Sequence, residues 1–196
     1  MVSQFVSSHA VNLLGNIAFD FPEGTHAIGR LDNNSEGLLI LTTNKKVTRL
    51  LFQGAVPHKR TYLVLVNDAV TEEQVTQLQN GVQFKITGGE LYTTKPSEVL
   101  ITHALPSLYL APSTLNPTPS LLYPLPYTPN ERVSHTWLSI TLTEGKFHQV
   151  RKMLAAVRLK CKRLVRTSIE DLALGNLQPG EVREMEEGEF FQLLNF

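Results

Sequence analysis

One cysteine, Cys161, in a chain of 196 residues excludes an internal disulfide framework and a multi-cysteine zinc site together. A reducing compartment such as the cytoplasm fits that usage. No apolar run approaches the roughly 18 residues that a membrane-spanning helix needs, so a soluble chain without membrane contact is expected. No basic leader followed by an apolar core opens the sequence, and no secretory signal is read. Met1-Val2-Ser3-Gln4-Phe5-Val6 reads instead as part of a strand, which predicts that residues upstream have been removed or were never included. Metal-ligand spacings, glycine-rich phosphate loops and internal repeats are missing. Charge of one sign is missing too. Eighteen basic and eighteen acidic residues cancel, a balance that by itself argues against a nucleic-acid binder.

What is present is ordinary in amount and uneven in placement. Hydrophobic content of 42% and charged content of 18% are globular values, and the length suits one domain or two small lobes sharing a core. Between positions 146 and 166 stand Lys146, Arg151, Lys152, Arg158, Lys160, Lys162, Arg163 and Arg166 without one acid. From Glu170 to the end, Arg183 alone faces Asp171, Glu181, Glu184, Glu186, Glu187 and Glu189. Screening limits each charge to about 8 Å at physiological salt, so a local basic stretch decides phosphate contact more than net charge does. Such a run is also what a solvated helix face looks like.

Periodicity supplies the elements. Residues 10–14 suggest a short helical piece and 38–42 a buried strand. Asn44 looks like the N-cap of a helix that turns Val47, Leu50 and Leu51 inward and Lys45, Lys46 and Arg49 outward. Residues 60–66 form the clearest strand, with Tyr62, Val64 and Val66 on one face. Thr71 and Gln74 make a capping box for a helix that stops at Asn80-Gly81, and Gly88-Gly89 is a hairpin turn. Pro106, Pro112, Pro117, Pro119, Pro124, Pro126 and Pro129 rule out helix or central strand over 105–130, which reads as a long inserted loop. A strand over 134–142 follows, with Thr136, Leu138, Ile140 and Leu142 on one face. The spacing of Phe147, Val150, Leu154 and Val157 predicts a helix over 147–159 with those four toward the core, Arg151 on the edge, and Lys152 and Arg158 in solvent. Residues 164–174 read as strand, and Phe190, Phe191, Leu193 and Leu194 should dock a closing helix or strand. The class is α+β, with a mixed, largely antiparallel central sheet flanked by helices.

Asp32 is the candidate working carboxylate. It lies in Gly29-Arg30-Leu31-Asp32-Asn33-Asn34-Ser35-Glu36-Gly37, directly before Leu38-Leu39-Ile40-Leu41, at a loop-strand junction where side chains project from a rigid base. The same residues also suit a turn bonded to its own backbone.

Gly29-Arg30-Leu31-Asp32 with Ser35-Glu36-Gly37-Leu38-Leu39, Arg60-Thr61-Tyr62-Leu63-Val64, and Glu144-Gly145-Lys146-Phe147-His148-Gln149-Val150-Arg151-Lys152-Met153 resemble, in that order, the RsuA-like ribosomal RNA pseudouridine synthases. Asn176-Leu177-Gln178-Pro179-Gly180-Glu181-Val182-Arg183-Glu184 is similar to that family's carboxy-terminal signature. The likeness spans nearly the whole chain and is greatest to the compact branch that modifies large-subunit ribosomal RNA and has no S4 domain. It implies one catalytic domain over 1–196, two α+β lobes sharing a sheet with a central RNA-binding cleft.

By that resemblance Asp32 acts on the ribose of a target uridine, so that the glycosidic C–N bond breaks, the uracil rotates and C5 rejoins C1′. Arg30 enters the RNA stack in place of the flipped base, Tyr62 stacks on the target base, and Arg151 is the cation paired with the aspartate. Arg60, Lys146, His148, Lys152, Leu164 and Arg166 complete the implied substrate-binding set. The partner implied is ribosomal RNA or a pre-ribosomal particle, met by a monomer. The chemistry agrees with these assignments: an isomerisation without redox change or phosphoryl transfer needs neither a metal nor an organic cofactor, an arginine keeps a carboxylate in an apolar-lined pocket charged, and a uridine in folded RNA must be extruded onto an aromatic face. Attack at C1′ and removal of the C2′ proton both need the anion, and both stay open. The chain departs from the family in lacking a Lys-Pro element before Met1, in Arg60 where lysine is commoner, and in a longer proline-rich insertion. Two other readings are an inactive RNA-binding protein of the same fold and a glycoside hydrolase using Asp32 with Glu36, for which no second carboxylate is assigned.

Overall fold

The β-branched run Arg60–Asn67 (β4) is the central strand of the molecule. The computed structural model describes residues 2–54, 56–102 and 134–196, so the proline-rich insertion expected over 105–130 and the start at Met1 lie outside the described residues. β4 pairs antiparallel with His135–Leu142 (β8) on one side and Cys161–Ile169 (β9) on the other. Glu98–Thr102 (β7) and Leu172–Ala173 (β10) extend the sheet at its two ends, and the short Glu36–Gly37 (β2) adds to β9 in parallel. Every other pairing among the described residues is antiparallel, which gives the α+β class read from the sequence. Two small ribbons stand apart: His26–Ile28 (β1) with Ile40–Thr42 (β3), and Gln83–Lys85 (β5) with Leu91–Thr93 (β6).

Alternation along β4 sends side chains to two separate interiors. Val64 and Val66, with Tyr62 at the margin, join Leu138, Ile140 and Leu142 of β8. That cluster is covered by Leu78 of the helix Glu72–Asn80 (α2) and by Val150, Met153 and Leu154 of the helix Gln149–Ala156 (α3). Leu63 enters the second cluster with Ile28, Ile40 and Val165, where Val47 and Leu51 of Lys46–Gln53 (α1) and Leu194 after Glu187–Leu193 (α4) also pack. Trp137, Phe190, Phe191 and Leu193 lie at its margin, as the sequence suggests for the closing helix. Each fully buried Val, Leu or Ile contributes roughly 1.5–3 kcal/mol, so the two interiors hold the sheet from both faces.

Caps explain the boundaries. Thr71 Oγ1 accepts from Gln74 N at 3.2 Å while Gln74 Oε1 accepts from Thr71 N at 3.0 Å, the reciprocal box expected for α2. Asn44 Oδ1 accepts from Lys46 N at 3.0 Å at the start of α1. Gly88 and Gly89 both take positive φ in the β5–β6 turn.

Four expectations need correction. Residues 2–6 form no strand; Val2 N donates to Asn12 O and Leu14 N to Gln4 O, which ties them to the following loop instead. The helical piece near residue 10 is a short 3-10 turn at Leu14–Asn16. The strand over 164–174 is a hairpin, because Glu170 takes φ +48 and its carboxylate accepts from Lys59 N at 2.7 Å, reversing the chain after β9. The helix expected over 147–159 is α3 alone, because His148 before it and Arg158 after it both adopt left-handed backbone, φ +55 and +64. Phe147 therefore falls outside the helix and is 65% exposed, while Val150, Leu154 and Val157 face the core as expected.

Candidate active site

The Asp32 loop is fastened at both ends. Ser35 N donates to Asp32 O at 2.8 Å, closing the turn, and Ser3 Oγ both donates to Leu31 O at 3.1 Å and accepts from Leu31 N at 2.9 Å. Beyond the turn, Gly37 carries φ +103, and a Cβ there would lie 2.2 Å from Arg166 O. Only glycine permits that approach. It lets Leu38 N donate to Arg166 O at 2.8 Å and Arg166 Nε donate to Leu38 O at 2.8 Å. Next to it, Arg163 Nε and Nη2 donate to the two carboxylate oxygens of Glu36 at 2.8 and 2.9 Å, a bidentate pair with the arginine buried. The loop that holds Asp32 is thus clamped to β9.

Opposite it stands the turn before α3. His148 Nε2 lies 3.5 Å from Asp32 Oδ1; the Asp32 side chain is 28% exposed and that of His148 42%. Arg151 reaches the same loop, but its Nη2 donates to the carbonyl of Asn34. The ion pair expected between Arg151 and Asp32 is therefore replaced by an imidazole at the carboxylate and a guanidinium at the loop backbone. His148 gets there because its left-handed backbone lifts it off the helix, while Arg151, one turn in, meets the far side of the turn. His148, expected in the substrate-binding set, lies beside the Asp32 carboxylate itself. Gln149 Oε1 accepts from Lys146 N at 2.8 Å and its Nε2 donates to Glu144 Oε1 at 2.6 Å. Glu144 in turn accepts from the Tyr92 hydroxyl at 2.5 Å and from Lys95 N at 3.2 Å, so the turn hangs from the β5–β6 ribbon. That bond, then burial, then the Glu144 charge push the Tyr92 hydroxyl up to about 12.

Tyr62 is half-buried on β4, in register with Arg166, which is itself in register with Gly37. It therefore shares the neighbourhood of the clamp that holds the loop. Burial pushes the Arg166 guanidinium below its usual range; contact with Tyr62 opposes this and the nearby Arg60 charge adds to it.

The other predicted substrate contacts divide. Arg30 is exposed at the loop's entry, and the Gln4 amide oxygen, once turned toward it, accepts from its guanidinium. Lys146 is exposed, with Nζ 4.7 Å from the Tyr92 ring centroid. Arg60 is half-buried and stacks over Phe52 at 5.2 Å. Lys152, expected in open solvent, donates to Lys85 O at 3.0 Å and lies near the rings of Phe84 and Phe147. Leu164 is buried in the first apolar cluster, and Arg166 is buried with Nε spent on Leu38, so both support the site from behind rather than face a substrate. The same holds for Arg163 of the basic run. Burial raises the Cys161 thiol, with Arg151 opposing.

A cleft of about 950 Å³ reaches Asp32 between the amino-terminal segment and the residues after Leu174. Tyr62, His148 and Arg151 lie outside its lining, so it approaches the carboxylate from the side away from α3. Among the described residues no group of three His, Cys, Asp or Glu side chains converges as a metal ligand set, and no helix is long and apolar enough to cross a membrane.

Comparison with known proteins identifies the family. The family model described as RNA pseudouridylate synthase matches residues 16–156. The ribosomal large subunit pseudouridine synthase E of Vibrio parahaemolyticus is 35% identical over 161 residues, 82% of this chain and 60% of the relative. The protein of that name from Xanthomonas axonopodis pv. citri is 36% identical over 165 residues, 82% of this chain and 76% of the relative. A crystal structure of a pseudouridylate synthase superposes with a TM-score of 0.67 at 26% identity, covering 92% of this chain and 65% of that one. The chain spans about 60% of the length of the Vibrio relatives it matches.

Proposed function

The chain belongs to the RNA pseudouridylate synthase family, and from that premise we propose that it isomerises a uridine of large-subunit ribosomal RNA to pseudouridine, with Asp32 as the reacting carboxylate. The observation that carries this reading is the placement of Asp32: a partly exposed carboxylate on a loop clamped to β9, with the His148 imidazole 3.5 Å away. A carboxylate fixed in that manner loses little freedom when a ribose reaches it, which is how positioning lowers a barrier.

The reaction is balanced within the nucleoside. The bond from C1′ to N1 breaks, the uracil turns, C5 bonds to C1′, the C5 proton leaves and N1 takes one up. Asp32 serves as the anion at C1′ or as the base at C2′. Arg151 holds the loop through Asn34 and brings positive charge to its backbone; His148 faces the carboxylate directly. Tyr62 offers its ring to the turned-out uracil, and Arg30 occupies the space the base leaves in the RNA. Lys146 and Lys152 serve as the cations for the flanking phosphates.

The test is chemical mapping of pseudouridine in uridine-labelled large-subunit ribosomal RNA after incubation with the protein and with Asp32→Asn. The expected result is conversion by the wild type and none by the variant, with RNA binding kept, because the substitution removes the anion and preserves its shape. Wild-type protein that leaves no pseudouridine overturns the reading, and an active variant removes Asp32 from it.

A further inference from the structure

Phe147 carries a benzyl side chain that the sequence pattern assigns to the core and the fold leaves in water. It is 65% exposed, although Val150, Met153 and Leu154, a few residues on, are buried. The cause is local: the left-handed backbone of His148 swings the preceding residue away from the stripe of α3. Leaving a phenyl ring outside forgoes the stabilisation that burial of an aromatic brings, so the position suits something other than packing.

Its surroundings specify what. The His148 ring lies against Phe147 at 3.9 Å between centroids and 19° between planes, a parallel stack. His148 is at the same time 3.5 Å from the Asp32 carboxylate. Lys152 Nζ is 5.7 Å from the Phe147 centroid, while Lys146, the residue before it, turns its Nζ to the Tyr92 ring. The one acid nearby in sequence, Glu144, is occupied by Tyr92, Gln149 and the Lys95 amide. A flat apolar ring with the Lys152 ammonium near it, one imidazole away from the Asp32 carboxylate, combines a stacking face with charge for the backbone.

We propose that Phe147 is the stacking platform for an unpaired nucleobase flanking the uridine that enters the site. This rests on the RNA-modifying role proposed above and adds a second point of contact to it. Stacked bases along one strand are about 3.4 Å apart, so a base on Phe147 lies within a few nucleotide steps of Asp32. Stacking is tolerant of base identity, since every base has a π-face. The platform would therefore demand an unpaired neighbour rather than a particular one.

The experiment measures binding without turnover. In the Asp32→Asn background, Phe147→Ala should weaken binding of single-stranded oligouridylate about 5- to 100-fold, with no change in the slope of affinity against salt because no charge is lost. Phe147→Leu should lose as much as alanine, and Phe147→Trp should bind as the parent does. Emission gained by the tryptophan variant should be quenched by oligouridylate and not by a chain of abasic ribose phosphates, whereas Trp137 emission of the parent stays constant. Equal binding by the alanine variant, full affinity in the leucine variant, or equal quenching by the abasic chain would each overturn the proposal. Failure of the catalytic reading looks different: wild type forms no pseudouridine, yet binding still depends on the ring at position 147.

Discussion

His148 and Asp32 meet across the two halves of the site at 3.5 Å, the imidazole carried by the turn before α3 and the carboxylate by the loop before β2. Neither side chain is sealed: a substrate could still reach the carboxylate, and the imidazole can donate to it from Nε2 in either of its donor forms. We propose that His148 orients the Asp32 oxygens, while Arg151 holds the loop beneath them through Asn34.

His148→Ala should therefore lower kcat by about tenfold or more, the order of effect seen when a reacting group loses its orientation, with little change in KM. His148→Gln, which keeps an N–H near the same place, should recover most of the loss. Steady-state pseudouridine formation on ribosomal RNA checks this. Equal defects in both variants would mean that the imidazole acts as more than a donor, and no defect in either would remove it from the site.

Glu36 and Arg163 yield the second prediction. Breaking a buried pair by removing one partner leaves an uncompensated charge and costs roughly 3–5 kcal/mol. Arg163→Met and Glu36→Gln should each shift the urea midpoint strongly downward, and the double variant Glu36→Gln/Arg163→Met should lose much less than the sum of the single losses. Arg163→Met should leave the salt slope of RNA binding unchanged, in contrast to neutralisation of the exposed Lys160. Additive losses would show that the two side chains do not act as a pair.

These contacts mark where sequence reading succeeded and where it stopped. Tyr62, Val64 and Val66 on one face, the Thr71 box and the Gly88-Gly89 turn follow from local rules that the fold does not override. The Asp32 loop was legible because glycines and turn residues announce a fixed junction, and the turn bond from Ser35 to Asp32 is there beside the partly exposed carboxylate. Phe147 was misplaced because helical spacing extends a stripe past its true start, and nothing in the spacing reports that His148 leaves the helical region. Arg163 and Arg166 were misjudged for a different reason. A basic run says nothing about which cations a neighbouring strand will bury, and here the parallel contact of β2 with β9, long-range in sequence, decides it.

The last prediction concerns alkaline pH and the support of the turn that carries Phe147 and His148. Tyr92 donates to Glu144 at 2.5 Å, and Glu144 also holds Gln149, so deprotonation of the phenol would put a second negative charge against the carboxylate on which the turn depends. The phenol is raised from 10.0 to about 12, first through that hydrogen bond. Because the folded value exceeds the unfolded one, the folded chain holds more protons between the two, and stability must fall with rising pH in that window. The contribution is complete below pH 10 and is lost as pH rises toward about 12. Thermal midpoints of the wild type should fall more steeply than those of Tyr92→Phe over this range, and the two curves should converge at its upper end. Below pH 10 the gap between them should be constant. Tyrosine absorbance followed along the same titration should lose its highest component in the variant. Parallel melting curves across the whole window would show that the phenol contributes nothing to holding the turn, and that Lys95 and Gln149 suffice to anchor Glu144.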